Sequence, residues 1–305
     1  MKIAVPPGIG DSLWALTKVQ AILREAGQSQ ANLVIADNAP QRSKEFLESF
    51  DFIHSAEYRP LPFMARPRTT PDHRWNYVPT GRNFGCDWWL CPNEHLEQGK
   101  RLETWLPQYE TNWNVQEHYL WHEADLEFAT QLKQRLGRYC VFYLGPETGN
   151  TRAGHNRGGL WSIADWVRLG TLLAVPIVVV GAPYDRSYSD KVLTAAHEAG
   201  SHWLDYVGQW KIGRTFAVVR KAEFVISYQS GIGIFASYLR VPTCIWWRAA
   251  GDSLESGFKL WFHEEMRNAW APPDMLASGR HNGLIYGRAD AGPEAIAAWS
   301  NHLRA

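Results

Sequence analysis

Four runs in the second half of the chain constrain its fold more than any other feature: "YCVFYLG" from Tyr139, "PIVVVGA" from Pro176, "EFVISY" from Glu223 and "TCIWW" from Thr243. Val, Ile and aromatic residues fill them almost without alternation, which is how strands covered on both faces read. Stretches with helical spacing separate them, expected at 162–173, 189–199, 212–221 and 231–239, and "HWLDYVG" is a weaker strand. Strand and helix in alternation predict a parallel sheet with helices on both faces.

The first third repeats the pattern. "KIAV" is a short apolar run ending at Pro6, and Leu13, Leu16, Val19, Ile22 and Leu23 then recur at helical spacing up to Gly27. "NLVIAD" reads as a second strand, residues 40–50 as a helix and "FIHSAEY" as a third strand. Residues 86–122 are aromatic-rich and partly helical, and "EADLEFATQLKQRLG" is a helix leading out of the first domain. The expected architecture is α/β, with two Rossmann-like doubly wound domains, 1–124 and 125–290, facing a central cleft. A closing helix in 291–305 is expected to pack back toward the first domain.

Composition narrows the function classes. The 305 residues carry 31 basic and 31 acidic side chains, so no overall positive field gathers nucleic acid or an anionic membrane. No apolar run of about 18 residues and no signal-peptide pattern appears, which predicts a cytoplasmic protein. The four cysteines, Cys86, Cys91, Cys140 and Cys244, are scattered and suggest neither a disulfide framework nor a zinc site. The 16 tryptophans read either as core or as stacking platforms for sugars or bases.

The loop "PPGIGDS" follows the first strand directly. Gly8 and Gly10 let a ligand approach the main chain, and the helix amides that follow point toward negative charge. Asp11 stands at or near the helix N-cap, where it reads equally as a cap or as a catalytic carboxylate. In "SYQSGIGIF" a strand again runs into a helix, and Ser230, Gly231 and Gly233 supply a hydroxyl and amides that suit a diphosphate. It is neither the G-x-G-x-x-G fingerprint nor a Walker loop, so hydride transfer is disfavoured. The long loop from Leu144 to Trp161 holds Arg152, His155 and Arg157, arginine being suited to phosphate oxygens or simply solvated. Asp185, just past a strand, is placed either to meet a ribose or to form a turn. Residues 59–82 carry Arg59, Arg66, Arg68, Arg74 and Arg82 against the single Asp72. This is either a solvated basic loop or an acceptor loop, with Gly8 and Gly10, for an anionic substrate.

In this order the pieces resemble the bacterial ADP-heptose:lipopolysaccharide heptosyltransferases, glycosyltransferase family 9, of the GT-B architecture. The resemblance rests on "GIGDSLWALTKVQAIL", on "LWSIADWVRL" with "PIVVVGAPYD", and on "VISYQSGIGIFASYLRVPTCIWW". It implies an inverting, metal-independent transfer from a nucleotide-diphosphate sugar, used as co-substrate without a further cofactor, to an acceptor hydroxyl, with Asp11 as general base. It also implies that Ser230, Gly231 and Ile232 hold the donor diphosphate with Arg157 or Arg152, while Asp185 and Gln229 lie near the ribose and base. The family's acidic residue before Thr-Gly is Gln229 here, an expected histidine is Ile234, and a lysine before the mid-chain Trp gives way to Gly159, with Arg157 as substitute cation. The acceptor is expected to be an anionic glycan core. Alternatives are a glycosyltransferase acting on hydroxymethylated DNA bases, with Trp75, Tyr77 and Phe84 to stack on bases, and a sugar-nucleotide epimerase or nucleotide-sugar-binding protein of the same fold.

Overall fold

The computed structural model describes residues 1–36, 42–59, 85–145, 161–247, 266–285 and 289–303. The chain forms two compact units, one from Met1–Leu120 and Arg248–Trp270, the other from Trp121–Trp247 and Ala271–Ala305. The division thus falls at Leu120/Trp121, and the chain later returns to the first unit.

The first unit begins β1 (Lys2–Val5), α1 (Ile9–Glu25), β2 (Ala31–Ala36), α2 (Arg42–Glu48) and β3 (Ile53–Arg59), followed by β4 (Trp88–Trp89) and α3 (Asn93–Glu97). Its sheet runs β3-β2-β1-β4, every pair parallel. Ile3, Ala4 and Val5 are buried, as are Leu13, Leu16, Val19, Ile22 and Leu23 of α1, so the apolar spacing read from sequence is the buried face of that helix. The expected strand and helix pattern of residues 2–59 is present. β4 was not expected, because two tryptophans make too short a run to register as a strand.

The second unit holds α4 (Glu123–Leu136), β5 (Cys140–Tyr143), α5 (Ile163–Leu172), β6 (Ile177–Val179), α6 (Arg186–Glu198), β7 (Leu204–Asp205), α7 (Ile212–Lys221), β8 (Phe224–Tyr228), α8 (Gly231–Tyr238) and β9 (Thr243–Trp247). The short α9 (Met266–Ala269) belongs to the first unit; α10 (Pro273–Ala277), β10 (His281–Ile285) and α11 (Pro293–His302) complete the second. Its sheet is β10-β9-β8-β5-β6-β7, also wholly parallel. Every residue of β5, β6, β8 and β9 is buried, the physical counterpart of the unalternating runs. α11 packs on α5, tied by Arg168 to Glu294 at 2.9 Å. The segment that returns to the first unit ends at Trp270, whose ring lies 5.9 Å from that of Trp14.

Trp14, Trp166, Trp246, Trp247 and Trp270 are among the largest fully buried side chains, so these five are core. Cys86, Cys140 and Cys244 are buried free thiols, and Cys91 is a half-buried one. Among the described residues no helix is long and apolar enough to cross a membrane.

Candidate active site

Both sheets reverse their winding once. In the first unit the chain steps outward from β1 to β2 and β3, then crosses to the other side of β1 to form β4. In open α/β sheets such a reversal leaves a crevice at the carboxyl ends of the strands, where ligands bind. The loop that leaves β1 at this place is "PPGIGDS".

This loop is pinned from beneath. Ser12 Oγ donates to the carbonyl oxygen of Pro6 at 2.6 Å, Ser43 Oγ of α2 donates to that of Pro7, and both serines are buried. Gly8 is the N-cap of α1, with φ −77° and ψ 139°, and no side chain caps the helix. That backbone is open to any residue, so the reason for glycine is space: a Cβ on Gly8 would stand 2.5 Å from Asp11 Oδ2. Asp11 is therefore not the cap. It lies in the first turn, half-buried, where the positive end of the helix favours negative charge. Gly10 is buried in the same turn.

Asp11 is held from the other side of the reversal as well. Asn93 Nδ2, at the start of α3 just after β4, donates to Asp11 Oδ1 at 3.2 Å. Asn93 Oδ1 is buried with no hydrogen-bond partner among the described residues. The helix carrying Asn93 is anchored in turn: His95 Nε2 lies 3.1 Å from the Arg101 carbonyl oxygen and 2.9 Å from Thr104 Oγ1, and Arg101 donates to the Asn268 carbonyl oxygen of α9. Burial pushes the His95 imidazole below its ordinary pKa, with the Arg101 carbonyl opposing. Two turns along α1, the fully buried Lys18 donates to the Tyr109 carbonyl oxygen at 2.7 Å, with those of Glu103 and Leu106 at 3.4 and 3.5 Å. Desolvation lowers its pKa against the attraction of Glu103. Sequence reasoning missed Asn93. No local signal was available, because the two tryptophans of β4 are too short a run to register as a strand and its pairing with β1 is a long-range contact.

In the second unit the reversal lies between β5 and β8. β8 leads through Gln229 to Ser230, the N-cap of α8, whose Oγ accepts from the Gly233 amide at 3.2 Å and shares a hydrogen bond of 2.8 Å with Ser227 Oγ. The helical ladder starts with the Ile234 amide on the Ser230 carbonyl oxygen at 3.0 Å. The amides of Gly231 and Ile232 are therefore the first-turn donors that an anion can use. Gly233 serves packing, since a Cβ there would meet Ser227 Cβ, Ser227 Oγ and Ile245 Cδ1 each at 3.0 Å. The Gln229 amide continues the ladder to the Trp246 carbonyl oxygen, and Ile234 is core.

Asp185 is buried. Its Oδ2 accepts from the Ala182 amide at 2.8 Å, the contact of a turn-forming carboxylate, and its Oδ1 from the Tyr143 hydroxyl of β5 at 3.2 Å. Of the remaining candidates, Arg66, Arg68, Arg74, Arg152 and Arg157, together with Gly159, His155 and the aromatic residues Trp75, Tyr77 and Phe84, lie outside the described residues.

No family model and no curated protein matches the chain. Solved structures do. The ADP-heptose LPS heptosyltransferase II of E. coli aligns over 99% of this chain and 98% of its own, at 12% identity and a TM-score of 0.60. The fold is that of the heptosyltransferases. A glycosyl transferase family 9 protein from Veillonella parvula DSM 2008 covers 99% and 96% at 14% identity with a TM-score of 0.54. The E. coli heptosyltransferase WaaC with ADP covers 99% and 100% at 12% identity with a TM-score of 0.51. At such identities the likeness is one of architecture. The heptosyltransferase fold, two parallel-sheet α/β units of four and six strands, is the expected GT-B class.

Proposed function

We propose that this protein is an inverting, metal-independent glycosyltransferase that moves a sugar from a nucleotide-diphosphate sugar to the hydroxyl of an anionic acceptor, in the cytoplasm. The observation that carries the reading is the carboxylate of Asp11, seated at the β1/β4 reversal in the space Gly8 leaves open and tied to Asn93. That carboxylate is half-buried and oriented from two elements.

In the reaction the acceptor oxygen attacks the anomeric carbon while its proton passes to the Asp11 carboxylate. The new carbon–oxygen bond forms as the bond to the diphosphate breaks, its electron pair leaves on the diphosphate, and the configuration inverts. The amides of Gly231 and Ile232, ordered by the Ser230 cap, take the charge that develops on the leaving group, assisted by Arg157 or Arg152. Arg66, Arg68 and Arg74 meet the acceptor's negative groups. Support comes from the fold, shared over nearly its whole length with proteins described as heptosyltransferases, one of them solved with ADP.

The test begins with a thermal-shift panel of nucleoside diphosphates and their sugars, because a ligand of the folded state raises Tm. With the donor so identified, Asp11→Asn is expected to bind nucleotide as the parent does while losing transfer. Undiminished turnover in that variant removes the base assignment, and a flat panel removes the donor assignment.

A further inference from the structure

The end of the second sheet away from Ser230 holds a basic cavity that the proposed reaction does not use. It has a volume of about 560 Å³ and lies where β8 and β9 begin, bordered by Glu223 and Pro242. The helix that starts at Ser230 runs through eight residues and finishes at this cavity with Leu239. A helix of that length spans about 12 Å, so the cavity and the diphosphate donors of Gly231 and Ile232 are separate places.

Four arginines line it, Arg138, Arg220, Arg240 and Arg280, with Glu223 as the only carboxylate among the lining residues. Four positive charges less one leave three; Asp274, paired with Arg240 at 2.7 Å, brings the balance to two, in a chain whose formal net charge is zero. Arg138 spends its fork on Glu223 at 2.7 and 2.5 Å. Arg220 and Arg280 have no carboxylate partner among the described residues: Arg220 lies 5.1 Å over the Trp121 ring, and Arg280 donates to the Arg240 carbonyl oxygen at 2.6 Å. A guanidinium carries five N–H donors in a planar fork, so both keep donors for an anion.

Cations at the carboxyl end of a helix offset its dipole, which suits Arg220 in the last turn of α7, Arg138 just after the Gly137 C-cap of α4 and Arg280 shortly after the Ser278 C-cap of α10. Helix-end charge does not account for their lining one cavity together. Arg240 stands just past α8 with φ +62°, a left-handed conformation for which glycine is the usual choice. Glycine would close the helix as well and bring no charge to the cavity.

We propose that this cavity binds a phosphate monoester, its oxygens on the forks of Arg220 and Arg280 and its organic part against Leu239, Val241 and Pro242. The volume falls within the range of about 300–1,000 Å³ typical of small-molecule sites. Phosphate monoesters reach a protein either as soluble metabolites or as lipid headgroups, and the two sources are separable.

The experiment uses the full-length protein and its R220Q/R280Q variant, with far-UV circular dichroism confirming that both fold. AMP is titrated calorimetrically, and flotation is measured with phosphatidylcholine vesicles with and without phosphatidic acid. The expected result is that the double variant weakens binding at least tenfold in one arm, calorimetry marking a soluble ligand and flotation a headgroup, while R220K/R280K, which keeps charge but loses the fork, falls between. AMP held at the Ser230 helix start would persist in the double variant. Binding that survives R220Q/R280Q unchanged, or no binding of either probe by the parent, overturns the proposal, and neither result bears on Asp11.

Discussion

The two glycine loops answer the same geometric problem, a strand turning into a helix at a sheet reversal, with opposite electrostatics. At the start of α1 the protein supplies its own negative charge: the cap is a bare glycine, and the Asp11 carboxylate fills the space beside it. At the start of α8 the cap is a serine hydroxyl, the first turn holds no acidic residue, and the amides of Gly231 and Ile232 face an unfilled role. In the proposed reaction one helix start brings the base and the other receives the anion. The glycines divide in the same way. Gly8 makes room for a functional side chain, whereas Gly233 lets a helix lie close to Ser227 and Ile245.

The hardest blow to this contrast is Asp11→Asn. The amide is isosteric and still accepts from Asn93, so thermal stability should move by less than about 1 kcal/mol, the worth of a charge at a helix end. Transfer should fall by about 10²–10⁴-fold, the usual contribution of a general base. Single-turnover kinetics with the identified donor measure it. Gly8→Ala tests the same carboxylate without touching it. The new methyl, 2.5 Å from Oδ2, displaces the side chain, and a shift of about 1 Å can cost about 10²-fold in rate. Gly233→Val is the counterpart in the other loop. Overpacking against Ser227 and Ile245 should cost about 1–3 kcal/mol, read as a drop in Tm. A Gly8→Ala enzyme as active as the parent, or a Gly233→Val protein as stable, would dissolve the distinction between the two glycines.

Much of this layout was legible in sequence because local pattern and tertiary environment agree. The helix expected at 212–221 is found at Ile212–Lys221, and the unalternating runs became strands buried on both faces. Ser230 and Asp11 were visible because a strand, a short glycine loop and a helix succeed one another without interruption. What was missed depends on distant residues. β10 opens with His281, Asn282 and Gly283, a poor strand sequence that is held by parallel pairing with β9 and by the His281 ring on Ser237 Oγ at 3.0 Å. Asn93 enters the site only because β4 pairs with β1, a register no local signal encodes. The return of Met266–Trp270 to the first unit is likewise a packing event, fixed where Trp270 meets Trp14. Asp185, offered equally as ribose ligand and as turn residue, proves to have one oxygen on the Ala182 amide of its own turn and the other on the Tyr143 hydroxyl of β5, a contact that no local pattern encodes.

The smallest expected effect is also the one that separates cap from ligand at Ser230. Its hydroxyl accepts from the Gly233 amide, and removing it in Ser230→Ala leaves that amide unpaired in a partly buried turn. Loss of a serine cap costs about 1 kcal/mol, so Tm should fall by a few degrees whatever the ligand does. If the hydroxyl only orders the turn, the amides of Gly231 and Ile232 remain in place and nucleoside diphosphate affinity should drop by less than about threefold. A hydroxyl that itself touches the diphosphate adds a charge-assisted hydrogen bond, worth about 1.5–3 kcal/mol, and its removal weakens binding by more than about tenfold. Calorimetric titration of parent and variant distinguishes the two. The first outcome keeps the contrast in its simplest form, backbone amides for the anion at α8 and a side-chain carboxylate for the proton at α1; the second makes Ser230, like Asp11, a residue chosen for contact with substrate.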